Sequence, residues 1–472
     1  MAKLSDNPTV GNTASLPEVH GTVRVAKGPQ WRRFLAFAGP AYLVSVGYMD
    51  PGNWATDLAG GSAFGYKLLW VILASSLMAM VLQTLCARLG IASGRDLAQV
   101  CKESFPKPVG VVLWVLAEIA IVCTDIAEVI GSAIALNLLF GIPLVAGVVL
   151  TGLDVLLLLG LMRFGFKKIE AIIMVMVATI FGCFCVNLAL AKPDWAAVLN
   201  GMVTPTIPSD YALFVAVGII GATVMPHNLY LHSALVQTRN YGPDEKDKRE
   251  AIKHSTTDTL IALGGAFFVN AAILVLAAAV FHGTIGVVDD LSQAHELLKP
   301  ALGGVAATLF AVALLASGQS STITATLAGQ VVMEGFTTWH VKPWVRRMIT
   351  RGLAIIPAVI IVGGSGASKT VELLTVTQVI LTLQLPFAVF PLVMVTSDRL
   401  RMGAFTNPVW VRVLAYSIGT VITALNLKLL TDKYIQEAAP QLGYAPLVLA
   451  YAALIGFAAW MRIGYRSPKT AS

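Results

Sequence analysis

Charge is scarce in this sequence. Only 12% of its 472 residues are Asp, Glu, Lys or Arg, about half the share of a soluble domain. With 56% hydrophobic residues and a mean hydropathy of +0.75, that deficit excludes both a soluble globular protein and a disordered one. Cysteine is scarce too. Cys86, Cys101, Cys123, Cys183 and Cys185 lie in apolar surroundings, which excludes a disulfide framework and leaves small packing residues. Cys183 and Cys185, two apart, point to different sides of a helix. The first 30 residues contain no apolar run, so they hold no cleavable signal peptide and read as a mobile polar tail. The strict apolar–polar alternation of an outer-membrane barrel is missing. So is the paired-histidine HExxH motif of a membrane metalloprotease: His227 and His232 are five apart with no glutamate between them.

What is present is a series of continuous apolar runs, each near the roughly 20 residues a spanning helix needs. Twelve spans are predicted, at 36–58, 67–87, 109–137, 143–162, 169–190, 211–236, 256–281, 302–330, 348–364, 371–396, 410–430 and 444–461. Lys and Arg exceed Asp and Glu, 33 to 26. With the N-terminus in the cytoplasm, 27 of the basic residues fall in cytoplasmic segments and 6 in external ones. The alternation holds at every loop, so it orients the chain with both termini inside. It also accounts for the basic balance without a nucleic-acid partner. Short loops point to a bacterial inner membrane. The organisation expected is a cytoplasmic tail at 1–35, a core of ten spans at 36–396, and spans 11–12 with a short cytoplasmic tail at 397–472.

Two spans are irregular in the same way. The first reads Gly47-Tyr48-Met49-Asp50-Pro51-Gly52-Asn53, and the sixth Gly221-Ala222-Thr223-Val224-Met225-Pro226-His227-Asn228. Each sets a proline beside ionisable or metal-binding side chains in mid-membrane. Proline removes a backbone donor, and lipid cannot satisfy the groups that a broken helix frees. Matching breaks in two halves of a chain mark a transporter built of inverted repeats. Spans 1–5 and 6–10 are the repeats, and spans 11 and 12 are additions.

A carboxylate at mid-membrane is costly enough to be functional by default, which singles out Asp50. Asn53 lies one turn away with a neutral oxygen. Met225 offers a thioether and His227 an imidazole. Oxygen alone suits Mg²⁺ or Ca²⁺. Sulfur tips the set towards softer divalent ions such as Mn²⁺, Fe²⁺, Co²⁺ and Cd²⁺.

These two stretches, Asp50-Pro51-Gly52-Asn53 and Met225-Pro226-His227-Asn228-Leu229-Tyr230-Leu231-His232-Ser233, resemble the two signatures of the Nramp family of proton-coupled manganese and iron importers. The resemblance extends over roughly 36–430. It implies an all-α polytopic membrane protein of LeuT-type fold, with two inverted five-helix repeats, broken helices 1 and 6, and two extra helices. It implies Asp50, Asn53 and Met225 as side-chain metal ligands, and the backbone carbonyls of Gly47 and Ala222 beside them. The family usually has alanine at both carbonyl positions, and Gly47 departs from that without losing its carbonyl. A span-10 ligand is also implied. Gln378 and Gln384 are the choices, six apart and on different faces, and Gln378 is favoured. Trp54 stands where the family often has a smaller residue, and the sequence offers no reason for it.

Span 3 carries Glu118, Asp125 and Glu128 at i, i+7 and i+10, on one helical face. Such carboxylates must be protonated, paired or hydrated. The start of span 9 supplies arginines Arg346, Arg347 and Arg351 as partners. In the family such a network leads protons to the cytoplasm, with Asp125 and Glu128 as relays; a static ion-pair gate is the competing reading. His227 is expected to face the pathway. His232, about 140° round the helix, serves either the pathway or a helix-packing bond.

Voltage alone draws a divalent ion inward by about 4.6 kcal/mol per 100 mV. Asp50 is where a proton and a metal compete, because a protonated carboxylate is a poor ligand. The sequence therefore reads as a secondary transporter, not an enzyme, with no cofactor and no obligate protein partner. Its substrates are a divalent metal and protons, and its medium is the bilayer. The alternatives are the Nramp-related magnesium branch, which lacks the methionine, and an amino-acid symporter, whose substrate carboxylate Asp50 would repel. A passive channel fits the pseudo-repeats less well than alternating access. The other histidines (His20, His254, His282, His295, His340) read as solvated, and the mixed-charge segment 244–250 as a helix leading into span 7. Thr256, Thr257 and Asn270 of span 7 are candidate path-lining residues.

Overall fold

The computed structural model describes residues 15–17, 19–25, 29–152, 165–284, 286–288, 290–337, 343–431 and 445–467. Its helices are α1 (Gln30–Phe37), α2 (Pro40–Gly47), α3 (Pro51–Phe64), α4 (Leu69–Ser93), α5 (Leu97–Ser104), α6 (Lys107–Phe140), α7 (Leu144–Thr151), α8 (Phe166–Ala191), α9 (Trp195–Val203), α10 (Asp210–Thr223), α11 (Pro226–Leu235), α12 (Glu245–Val280), α13 (Leu291–Leu302), α14 (Gly304–Phe336), α15 (Pro343–Gln384), α16 (Pro386–Thr396), α17 (Arg399–Met402), α18 (Val409–Leu429) and α19 (Ala445–Gly464). Among the described residues, eight helical stretches are long and apolar enough to cross a bilayer. The predicted spans at 67–87, 109–137, 169–190, 256–281, 302–330 and 410–430 fall on α4, α6, α8, α12, α14 and α18. The second half of the predicted fourth span, 153–162, lies outside the described residues.

Both predicted breaks are present. Span 1 divides into α2 and α3, with Asp50 extended at the N-cap of α3. Span 6 divides into α10 and α11, with Met225 extended at the N-cap of α11. The offset is the same in each. Pro51 and Pro226 lack the N–H that would bond four residues back, so the carbonyls of Gly47 and Ala222 lose their helical partner. The fold places two helix C-terminal carbonyl ends and two N-termini around one point, which is how an inverted-repeat transporter builds a site from broken helices.

Two expectations are corrected. Spans 9 and 10, read as 348–364 and 371–396, are one unbroken helix through Gln384, and the interruption comes at Leu385-Pro386 instead. The glycines at 363, 364 and 366 each weaken a helix by about 1 kcal/mol but keep their N–H groups; Pro386 does not. The second correction concerns the tail. Residues 15–17 and 19–25 are packed, not mobile. Leu16 is 1% exposed, Val19 and Val23 are also buried, and Val23–Arg24 (β1) pairs in parallel with Arg239–Asn240 (β2). The Leu16 N–H donates to Glu334 Oε2 at 2.9 Å, and the Gly21 N–H donates to the Gln237 carbonyl at 3.0 Å.

The N-terminal end of span 1 is clamped by ions. Arg239 makes a bidentate pair with Glu170, at 2.5 and 3.1 Å, and donates to the carbonyls of Ala36 and Ala38. Asp258 accepts from the backbone N–H groups of Gly39 and Ala41. Gly39 has φ +138°, and a Cβ there would lie 2.4 Å from the Glu170 carboxyl carbon.

Candidate functional site: the paired helix breaks

Asp50 is fully buried. Its Oδ1 caps α3 by accepting from the Asn53 N–H at 2.9 Å and from Asn53 Nδ2 at 2.7 Å. The same Nδ2 donates to the Ala222 carbonyl at 2.9 Å, tying span 1 to the break in span 6. Asn228 Nδ2 reaches Met225 Sδ at 3.6 Å and the Val44 carbonyl at 3.5 Å. Gln378 lies against Gly52, where a Cβ would meet its Nε2 at 1.9 Å. Asp50, Asn53, Met225, Ala222, Gly47 and Gln378 are thus gathered around the two breaks. Gln384 is not among them. It faces a separate cavity of about 590 Å³ between α6, α15, α16, α18 and α19.

The other groups freed by the break are supported. Asn270 of α12 donates to the Tyr48 carbonyl at 2.8 Å and to Asn53 Oδ1 at 3.3 Å. Trp54 Nε1 donates to the Met49 carbonyl at 3.0 Å, which also accepts from Ser317 Oγ. The Trp54 ring sits edge-on against Phe184 and Phe310, with centroids 5.0 and 5.1 Å away. This large indole therefore has a structural reason that the sequence lacked: it satisfies a carbonyl of the break and fills the space beside it.

Among the described residues, four buried acceptor oxygens here have no donor: Asp50 Oδ2, Asn228 Oδ1, Asn270 Oδ1 and Gln378 Oε1. Unpaired buried acceptors are costly. A pocket rich in acceptors and poor in donors suits a cation. Helix C-terminal carbonyl ends add partial negative charge.

A second cluster lies one helix away. Arg351 pairs with Asp125 at 3.0 Å, approaches Glu128 at 3.9 Å and donates to Thr322 Oγ1 at 3.1 Å. All three charged residues are buried. His227 Nδ1 lies 3.3 Å from Thr124 Oγ1, next to Asp125, so α11 and α6 touch there. Glu118, two turns away, accepts from Trp114 Nε1 at 2.8 Å. The side chains of Arg346 and Arg347 lie outside the described residues. His232 Nδ1 lies 2.9 Å from Gln83 Oε1, and Gln83 Nε2 donates to the Tyr48 hydroxyl at 2.8 Å. His232 thus makes a cross-helix bond. Thr256 and Thr257 lie in the N-terminal half of α12, whereas Asn270 is at the breaks.

Sequence reasoning missed Thr124, Gln83 and Ser317 and saw no role for Trp54. Their only signal was polarity within a span, and α14 alone buries Ser317, Ser320, Ser321, Thr322 and Thr324.

Broken helices that meet at a buried, acceptor-rich centre define a membrane transporter of the LeuT fold class. A nucleobase–cation symporter, Mhp1, in a closed conformation shares that fold at a TM-score of 0.61 and 16% identity, over 96% of this chain and 97% of that one. The family model described as natural resistance-associated macrophage protein-like matches residues 41–432, and the chain belongs to this Nramp family. A divalent metal cation transporter MntH of Agrobacterium fabrum is 56% identical over 427 residues, 89% of this chain and 93% of that one. A crystallised manganese transporter mutant from Eremococcus coleocola is 40% identical, with a TM-score of 0.87 over 96% of this chain and 99% of that one.

Proposed function

We propose that this chain imports divalent transition metal ions, Mn²⁺ foremost and Fe²⁺, Co²⁺ and Cd²⁺ with it, together with protons by alternating access across a bacterial inner membrane. Both termini face the cytoplasm. The observation that carries this is the buried, donor-poor centre at the paired breaks, with one carboxylate, several neutral oxygens and one thioether. Asp50, Asn53, Met225, Gln378 and the carbonyls of Gly47 and Ala222 are the ligands. A single carboxylate leaves a net positive charge on a bound divalent ion, so binding is not so tight that release fails.

Protons leave by the neighbouring cluster. His227 touches Thr124, and Asp125, Glu128 and Arg351 follow. Arg351 pairs with one of the two carboxylates and approaches the other. This gives the metal and the proton adjacent but separate binding groups.

The test is uptake into proteoliposomes by wild type and Met225→Ala, with Mn²⁺ offered with and without excess Mg²⁺ or Ca²⁺, at two external pH values. Wild type is expected to ignore the hard cations and Met225→Ala to admit them. If both respond alike, the thioether is packing and the substrate assignment fails. If external pH has no effect on wild type, the proton coupling fails.

A further inference from the structure

We propose that Asn228 is a positioning residue of the metal site, holding the Met225 thioether, and that Gly47 is glycine in order to admit it. The inference rests on the metal-site reading above and adds a specificity device to it.

Asn228 lies three residues after Met225, in the first turn of α11, and is fully buried. Its Nδ2 is 3.6 Å from Met225 Sδ and 3.5 Å from the Val44 carbonyl. One amide thereby joins the sulfur of broken span 6 to the last turn of α2 in broken span 1. Its Oδ1 has no hydrogen-bond partner among the described residues, and a buried amide so poorly satisfied destabilises the fold. Stability alone does not explain it.

Gly47 closes the argument from the other side. A Cβ built there would sit 2.3 Å from Asn228 Nδ2 and 3.2 Å from its Cγ. Gly47 ends a helix, and it is not among the glycines with positive φ. Its backbone therefore has no need of glycine, which costs a helix up to about 1 kcal/mol relative to alanine. The missing Cβ leaves the Asn228 amide the space it occupies.

The chemical consequence concerns sulfur. A methionine side chain has three rotatable bonds, and ordering such a chain costs rotamer freedom. An N–H donated to Sδ ties one lone pair and leaves the other for a metal. Outer partners that orient a ligand typically account for 10- to 100-fold in metal affinity. Because the held atom is sulfur, the effect falls on the ions that use sulfur most.

The experiment is calorimetric titration of the purified full chain with Cd²⁺ and, separately, Mn²⁺. Wild type, Asn228→Leu, Gly47→Ala and the double variant Gly47→Ala/Asn228→Ala are compared. Asn228→Leu keeps the volume and removes the amide. It is expected to weaken Cd²⁺ by about 10-fold or more and Mn²⁺ by less than about threefold. Gly47→Ala is expected to do the same by displacing the amide. The double variant relieves the overlap but is expected to keep the Cd²⁺ deficit. Equal loss for both ions, or no loss for either, in Asn228→Leu overturns the inference, since plain packing does not distinguish sulfur-seeking ions. Wild type that binds neither ion overturns the metal-site reading itself. Should Gly47→Ala fail to fold, Asn228→Leu decides alone.

Discussion

Gly39 and Asp96 show how much rests on single residues at the ends of the helices. Gly39 holds φ +138° with the Glu170 carboxylate 2.4–2.5 Å from where a Cβ would be. Gly39→Ala meets both a disfavoured backbone and a clash. It is expected to lower stability by at least the roughly 1–3 kcal/mol of a strained backbone position, read as a lower melting temperature in detergent. Asp96, outside the spans, caps α5 with Gln99, and burial, partly offset by its hydrogen bonds, raises its pKa to about 6. A carboxyl whose pKa is higher folded than unfolded binds its proton more tightly when folded. Its contribution to stability is therefore full below about pH 3.9 and is lost as pH rises through about 6. Asp96→Asn keeps an acceptor for the cap and removes the proton. The expected result is a melting temperature whose slope between pH 4 and 6 is reduced relative to wild type.

At the scale of elements, what was legible in the sequence was whatever proline encodes. Pro51 and Pro226 gave away both breaks because a missing N–H acts on its own helix, four residues back. The end of the ninth span was misplaced because glycine only weakens a helix, and neighbours decide whether it ends. Asp50, Asn53 and Met225 were legible because charge and sulfur are rare in spans. Gln378 became distinct from Gln384 only once α15 was laid beside α3, since face alone does not say which neighbour a face meets. The Arg239–Glu170 pair was not legible at all, because its partners are 69 residues apart, Arg239 among loop charges and Glu170 at the start of a span beside Lys167 and Lys168. That pair now supports its own expectation. Removing one partner of a buried ion pair typically costs about 3–5 kcal/mol, so Glu170→Gln is expected to destabilise strongly. A double change, Glu170→Gln with Arg239→Gln, is expected to recover part of the loss in the same melting assay.

Over the whole molecule, charge is arranged to work with voltage. On the proposed orientation basic residues crowd the cytoplasmic side, while the carboxylates at the breaks and in α6 lie within the spans. Each charge moved inward gains about 2.3 kcal/mol per 100 mV. If the Asp125–Arg351–Glu128 cluster carries protons and the breaks carry metal, the two functions separate. Asp125→Asn is expected to flatten the dependence of Mn²⁺ uptake on external pH while changing Mn²⁺ binding by less than about threefold. Parallel loss of both would mean that the cluster only braces the metal site.

The packing of Leu16, Val19 and Val23 has a practical consequence. Hydropathy invites an expression boundary near residue 30, just ahead of the first span. A cut there discards β1, leaves Arg239–Asn240 without a strand partner and strips Leu16, Val19 and Val23 from the apolar interior. A shortened protein of that kind is a different object from the full chain. Affinity handles and fluorescent fusions belong at the other terminus, and activity measured on a trimmed version describes the trimming as much as the transporter.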